Sequence, residues 1–339
     1  MLLFCVLMVF SPMVLPFSNL VKSPEVLELI FFVTVIWMAF IWLFFSWSLM
    51  TKGLLWLGKM AGCFSAMTKS TEFFICLGIT IGLLFYGHFE ASSPVVEYLQ
   101  IKNSKIQKGC KIRIVALTDV HLGPLENGPR LERLVKMVKE QHPDIIISVG
   151  DLIDMRTKEP EKLTNLLAEL FAPLGKFAVF GNHEYFAGVE ESKEFLKKCG
   201  FDFLRNEIRH PTGFLSLIGF DDPTAKMVGM EQKIDESKLL LEAGKESFVL
   251  VLRHQPLVPS SLLDLFDLQI SGHTHQGQLF PFFIVPRIVY SFPSGFTKLN
   301  NRASLYISRG SGEWGPPIRI FARSEITVID LENGSNDGG

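Results

Sequence analysis

The chain has 339 residues, enough for one large domain or two small ones. Its hydrophobic fraction of 48% and mean hydropathy of +0.28 are high for a soluble enzyme and point to membrane segments. A net charge of −2, with no dense basic stripe, argues against nucleic acid as a partner. The five cysteines (Cys5, Cys63, Cys76, Cys110 and Cys199) are scattered and never at metal-ligand spacing. They read as small buried apolar side chains rather than a disulfide framework.

The first hydrophobic run, Met1 to Phe17, contains Pro12 and Pro16 and lacks a basic start. It reads as a third span or a hydrophobic arm, not as a cleavable signal peptide. Leu29 to Met50 carries no charge, and about 20 such residues cross a hydrocarbon core as a helix. Phe73 to Phe89 is shorter and reads as a second span, with an interfacial or re-entrant segment as the alternative. Lys52, Lys59 and Lys69 lie between these spans; Lys102, Lys105, Lys108, Lys111 and Arg113 follow the second. Two crossings would put the clusters on opposite sides, so the positive-inside rule gives no clean orientation. The larger second cluster leans towards a cytoplasmic catalytic domain. The expected location is a membrane, the inner (cytoplasmic) membrane in a bacterium.

Beyond residue 110 the pattern becomes globular. Strand-like runs rich in β-branched and apolar residues fall at Ile112–Thr118, Asp144–Val149, Phe177–Phe180, Leu215–Phe220, Phe248–Leu252, Leu268–Ile270, Leu305–Ser308 and Glu325–Leu331. Helical periodicity lies between several of them, at Pro129–Glu140, Glu161–Phe171 and Val189–Cys199. This alternation argues for α/β layers, and the strand-rich later part for a second, partly antiparallel sheet. The organisation expected is a hydrophobic anchor of two to three spans over 1–92, a linker over 93–110, a globular domain over 111–332 and a disordered tail over 333–339.

Five short motifs carry metal-binding side chains at or just past strand ends: Asp119-Val-His121, Gly150-Asp151, Gly181-Asn182-His183-Glu184, His254 and Gly272-His273-Thr-His275. In extended geometry Asp119 and His121 point the same way and offer one oxygen and one nitrogen. Gly150 allows a sharp exit, and the two oxygens of Asp151 make a natural bridge between cations. Asn182 offers a neutral carbonyl oxygen. His183 beside it can supply a proton or stabilise charge. Glu184 is expected to orient His183 or cap a helix, and Asp154 to serve as a turn acceptor. His254, His273 and His275 add imidazoles, good ligands for manganese, iron or zinc. Any one motif alone is weak. All five in this order, each behind a strand, are specific. His88, His142 and His210 are assigned no role.

These residues resemble those of the calcineurin-like metallophosphoesterase superfamily, over roughly Lys111 to Leu331. The closer likeness is to its membrane-associated branch, through Ser271-Gly-His-Thr-His-Gln-Gly-Gln278, Leu305 to Arg319, and Glu325-Ile-Thr327. The resemblance implies a four-layer αββα sandwich preceded by transmembrane helices, and two divalent metal ions, manganese with iron or zinc as alternatives. It implies that Asp119, His121, Asp151 and His275 hold one metal, and Asp151, Asn182, His254 and His273 the other. Asp151 and His183 would be catalytic, His183 as a non-ligating histidine beside the leaving group. Protein Ser/Thr phosphatases share Gly-Asn-His-Glu but place an Arg-Gly pair closely after the second Asp motif. Arg156 is displaced from that position, which disfavours a protein phosphatase.

The apolar run Leu279 to Phe292, directly after the His-x-His loop, reads either as a lip for acyl chains or the bilayer surface, or as a core strand and packed loop. With the anchor, it suggests an amphiphilic, phosphate-containing small molecule as substrate and membrane lipid as a partner. Within the superfamily this implies hydrolysis of the pyrophosphate bond of UDP-2,3-diacylglucosamine to lipid X and UMP in lipid A biosynthesis. The alternatives are a general phosphodiesterase on phospholipid or cell-wall precursors, and a non-catalytic membrane scaffold.

Overall fold

Isoleucine, valine and leucine runs bounded by Gly, Asp and Asn build the framework, in which a computed structural model describes residues 23–62, 67–125, 128–154 and 159–334. The run Met1 to Phe17, Cys5, Cys63, Arg156 and residues 335–339 lie outside the described residues. The strands are β1 (Val95–Lys102), β2 (Lys111–Leu117), β3 (Ile145–Val149), β4 (Lys176–Val179), β5 (Asp202–Phe203) and β6 (Glu207–Thr212). They continue with β7 (Leu215–Gly219), β8 (Phe248–Leu252), β9 (Leu268–Ser271), β10 (Gly295–Lys298), β11 (Ser304–Ile307) and β12 (Glu325–Glu332).

Among the described residues these form two six-stranded sheets, ordered β1-β12-β2-β3-β4-β5 and β10-β11-β9-β8-β7-β6. The first is parallel except where β12 meets β2; the second is parallel except at its β10 and β6 edges. Alternation along β2 sorts its side chains between layers. Ile112, Ile114 and Ala116 face the other sheet, against Leu217, Leu250 and Leu268. Val115 and Leu117 face outward, onto Leu131, Leu134 and Val138 of the helix Pro129–Glu140. The outer face of the second sheet packs Ile218, Val249 and Val251 against Leu240 of a short helix, Glu236–Glu242. The result is the four-layer αββα sandwich.

Residues 95–102, assigned above to a linker, instead form β1, an edge strand hydrogen-bonded along its length to β12. Of the basic residues near it, Lys105, Lys111 and Arg113 are held in ion pairs of the domain. Lys105 lies 2.8 Å from Asp267, and Arg113 2.8 Å from Asp330.

Among the described residues two helices, Glu25–Met60 and Lys69–Ala91, are long and apolar enough to cross a membrane. The first begins at Ser23, whose hydroxyl accepts from the Val26 amide, and runs from Pro24 for 37 residues, against 23 for the second. Its additional length carries it along the globular domain. Phe31, Val35, Ala39 and Leu43, spaced every four residues, are buried. Ala39 and Leu43 pack on Ile318 and Ile320. The second helix docks at Gly87, where an added Cβ would stand 2.3 Å from Ile318 Cγ2. The Glu90 carboxylate accepts from the amides of Phe321 (3.3 Å) and Ala322 (2.9 Å).

Candidate metal centre

The parallel strands of both sheets end on one side, and their loops converge there. β2 is followed by Asp119 and His121, β3 by Asp151, β4 by Asn182 and His183, β8 by His254, and β9 by His273 and His275. The first two loops stay stitched beyond their strands. The amide of Asp119 donates to Gly150 O (3.0 Å) and that of His121 to Asp151 O (2.9 Å). Asp119 and His121 do converge with the rest, but not through extended backbone. Asp119, His121, Asp151, His273 and His275 all have positive φ, between 46° and 68°. Such a backbone costs an L-residue about 1–2 kcal/mol, and its clustering marks a site held by its surroundings.

Asp151 sits at the centre. Its Oδ2 lies 3.1 Å from His254 Nε2, 3.8 Å from His121 Nε2 and 4.0 Å from His183 Nε2. On one side His121 Nε2 is 3.0 Å from His275 Nε2, which is 3.5 Å from Asp119 Oδ1. On the other, His273 Nδ1 is 2.9 Å from Asn182 Oδ1 and 3.2 Å from His254 Nε2. Thus Asp119, His121 and His275 form one group able to hold a cation, and Asp151, His254 and His273 another, with Asn182 beside it. All seven residues expected to ligate metal come together. His183 falls within reach of the first group, beside His121 and Asp151.

The donor set fits divalent cations. Asp119 Oδ2, at the cluster, is buried without any hydrogen-bond partner. Burial pushes His121 down to about 4 and His273 to about 3, which keeps both imidazoles neutral with lone pairs free. Burial favours protonation of Asp151, but the charge and hydrogen bond of His254 outweigh it and hold the carboxyl below its usual range. Buried carboxylate oxygens with neutral imidazoles suit manganese, iron or zinc. The glycines clear the space. A Cβ at Gly150 would stand 2.5 Å from His254 Nδ1, at Gly181 2.2 Å from Asp151 Oδ1, and at Gly272 2.2 Å from Asp119 Oδ2.

Four further residues support the site; Asp154 and Glu184 are given other roles from sequence, and Arg319 and Tyr290 none. Asp154, read as a turn acceptor, instead faces His183, Oδ1 to Nδ1 at 2.5 Å. Burial lowers the His183 pKa, but Asp154 and the charge of Asp151 outweigh it and raise it to about 9. Glu184 does not orient His183. It accepts from the amides of Gly181 (2.7 Å), Asp151 (3.0 Å), Leu152 (2.6 Å) and Ile153 (3.0 Å), fixing the turn that presents Asp151. Its contact with Gly181 does meet the capping expectation. Arg319, fully buried, donates to the carbonyls of Arg309 (2.9 Å) and Ala322 (2.6 Å) and lies 3.2 Å from His275 Nδ1. Tyr290 sets its ring edge-on to His273 and donates to Gln255 Oε1 (3.1 Å). Asp154 and Glu184 had local signals, their spacing from Asp151 and Gly181; Arg319 and Tyr290 meet the site through the fold.

The site opens into a cavity of about 710 Å³ that also contains Met38, Ile41 and Trp42 of the first long helix. It is also lined from Leu279 to Tyr290, a segment that is neither a core strand nor buried. The segment forms a turn and a short helix, Ile284–Tyr290, with Ile284, Val285, Ile288 and Val289 exposed.

Residues 112–277 match the family model described as calcineurin-like phosphoesterase. A metallophosphoesterase of Aquifex aeolicus is 34% identical over 76% of this chain and 99% of its own length. One from Campylobacter jejuni is 34% identical over 71% of this chain, and a transmembrane protein with metallophosphoesterase domain from Danio rerio is 34% identical over 76%. The chain spans 64% and 62% of the length of these last two. By sequence match, fold and convergence of its strand-end side chains, the chain belongs to the calcineurin-like metallophosphoesterase family.

Proposed function

We propose that this chain is a membrane-associated, metal-dependent phosphohydrolase that cleaves an amphiphilic phosphodiester or pyrophosphate. The observation that carries the reading is a single cavity with carboxylate and imidazole groups at its floor and apolar side chains on its walls. Asp119, His121, Asp151 and His275 would hold one divalent cation, and Asp151, Asn182, His254 and His273 the second, with manganese preferred. When bound, such a pair supplies an activated water and neutralises charge at phosphorus.

The chain's own residues do the rest. Asp151 is kept charged by His254, and its turn is fixed by Glu184, so it can serve both cations. His183, protonated at neutral pH and aimed by Asp154, is placed to give a proton to the leaving oxygen. The apolar walls bind the lipid portion and keep bulk water from the phosphate. Two long apolar helices, and relatives named as transmembrane proteins, support a membrane location.

The specific substrate proposed is UDP-2,3-diacylglucosamine, split at its pyrophosphate to lipid X and UMP. It joins two phosphates to two acyl chains, a chemistry that suits a polar floor with apolar walls. The test is to incubate the detergent-purified full chain with this compound and manganese. UMP should appear, stop on chelation, and be absent with Asp151→Ala. Cleavage of generic phospholipid diesters without UMP release would overturn the specific substrate. An intact His–Asp cluster that takes up no metal and cleaves neither would favour a scaffold.

A further inference from the structure

We infer that helix Pro24–Met60 is not only an anchor: its cavity-facing stripe is an acyl-chain subsite that selects the substrate. This rests on the amphiphile reading above and goes beyond it by assigning the residues that hold the chain.

The helix is seated on the domain by one stripe and leaves its neighbour open. Val35, Ala39 and Leu43 are 4%, 1% and 0% exposed. One residue before or two after Ala39, Met38 and Ile41 remain 46% and 43% exposed although they line the catalytic cavity. Lining the same cavity, Phe282, Val285 and Val289 are 43%, 42% and 62% exposed. Two apolar surfaces, one from the helix and one from the segment after the His-x-His loop, therefore share the cavity. Exposed apolar side chains around a polar catalytic floor are arranged for an apolar occupant.

The register of the helix is pinned. Trp42 Nε1 donates to Phe280 O (3.2 Å), and its ring meets Phe282 edge-on at 5.5 Å. These contacts tie the helix wall to the Leu279–Tyr290 wall, so the width between them is set by the fold. A phosphate placed at the Asp151 end directs its esterified alcohol along this slot. The occupant is thus an acyl chain of the substrate itself, continuous with the group being cleaved. Bulk membrane lipid would have no reason to reach the carboxylate floor.

The test uses the full chain, reconstituted with manganese in detergent, and acylated substrates of increasing chain length. Each methylene accepted by the slot should raise kcat/KM roughly fourfold until the slot is filled. Ile41→Trp should shorten the preferred chain and lower kcat/KM for the longest substrate at least tenfold relative to the shortest. Leu49→Trp, further along the same helix and outside the cavity, should leave the profile as it was. An independent readout needs no turnover: a substrate analogue with a diazirine at its acyl end should label Met38 to Trp42 and Phe282 to Val289. A wild-type enzyme indifferent to chain length would overturn both the amphiphile reading and the subsite. A clear chain-length preference that survives Ile41→Trp, with labelling confined to Phe45 and Leu49, would overturn the subsite alone.

Discussion

At Gly181 the backbone, with φ −99°, is one that any residue adopts, yet a Cβ there would stand 2.2 Å from Asp151 Oδ1. Gly181→Ala should therefore fold, keep its far-UV circular dichroism and lose metal, with affinity down at least tenfold in a competition titration. Glu184→Gln tests the turn beneath Asp151. Replacing one carboxylate oxygen with an amide donor sets it against backbone N–H groups, which costs about 1–3 kcal/mol. A lowered Tm together with weaker metal binding is expected; an unchanged Tm would contradict the role. His183 is tested by leaving group. His183→Ala should reduce turnover strongly for alkyl esters and much less for p-nitrophenyl esters, which need no protonation. Equal losses for both would remove His183 from that role. The seven candidate ligands were legible because Asp, Asn and His behind apolar strand runs have few other uses. Arg319 and Tyr290 were not, because the site histidines they touch are brought to them only by the fold. Nor did the sequence reveal that five of the site residues take left-handed backbone.

Strand and helix periodicity marked the central elements well, since β3 and β8 are buried on both faces and read as near-continuous apolar runs. Edge elements were harder. β1 mixes Glu97, Gln100 and Lys102 with apolar residues and needs β12, more than 200 residues away, to become a strand. The anchor was legible as two apolar helices, but not its docking. Seating of the second helix depends on Gly87, whose place beside Ile318 leaves no room for a side chain. Gly87→Leu should separate the helix from the domain at a cost of about 1–3 kcal/mol from overpacking. Hydrogen exchange should then rise at Arg319, Phe321 and Ala322, whose amides donate to Gly87 O and Glu90. Unchanged protection there would show that the contact does not hold the anchor.

Across the whole molecule, two sheets direct their strand ends to one point, and the first long helix closes one side of the cavity above it. Alternation in the sequence argued for α/β layers, and the family resemblance for their four-layer order. The placement of the helix beside the site was not legible, because an apolar helix reads the same whether it faces lipid, protein or a substrate. The most direct measurement is anomalous diffraction from manganese-loaded crystals of the full chain. Shared ligation by Asp151 requires two peaks about 3.5–4 Å apart, one beside Asp119, His121 and His275 and the other beside Asn182, His254 and His273. A single peak, or none at full manganese loading, would contradict two-metal hydrolysis at this site.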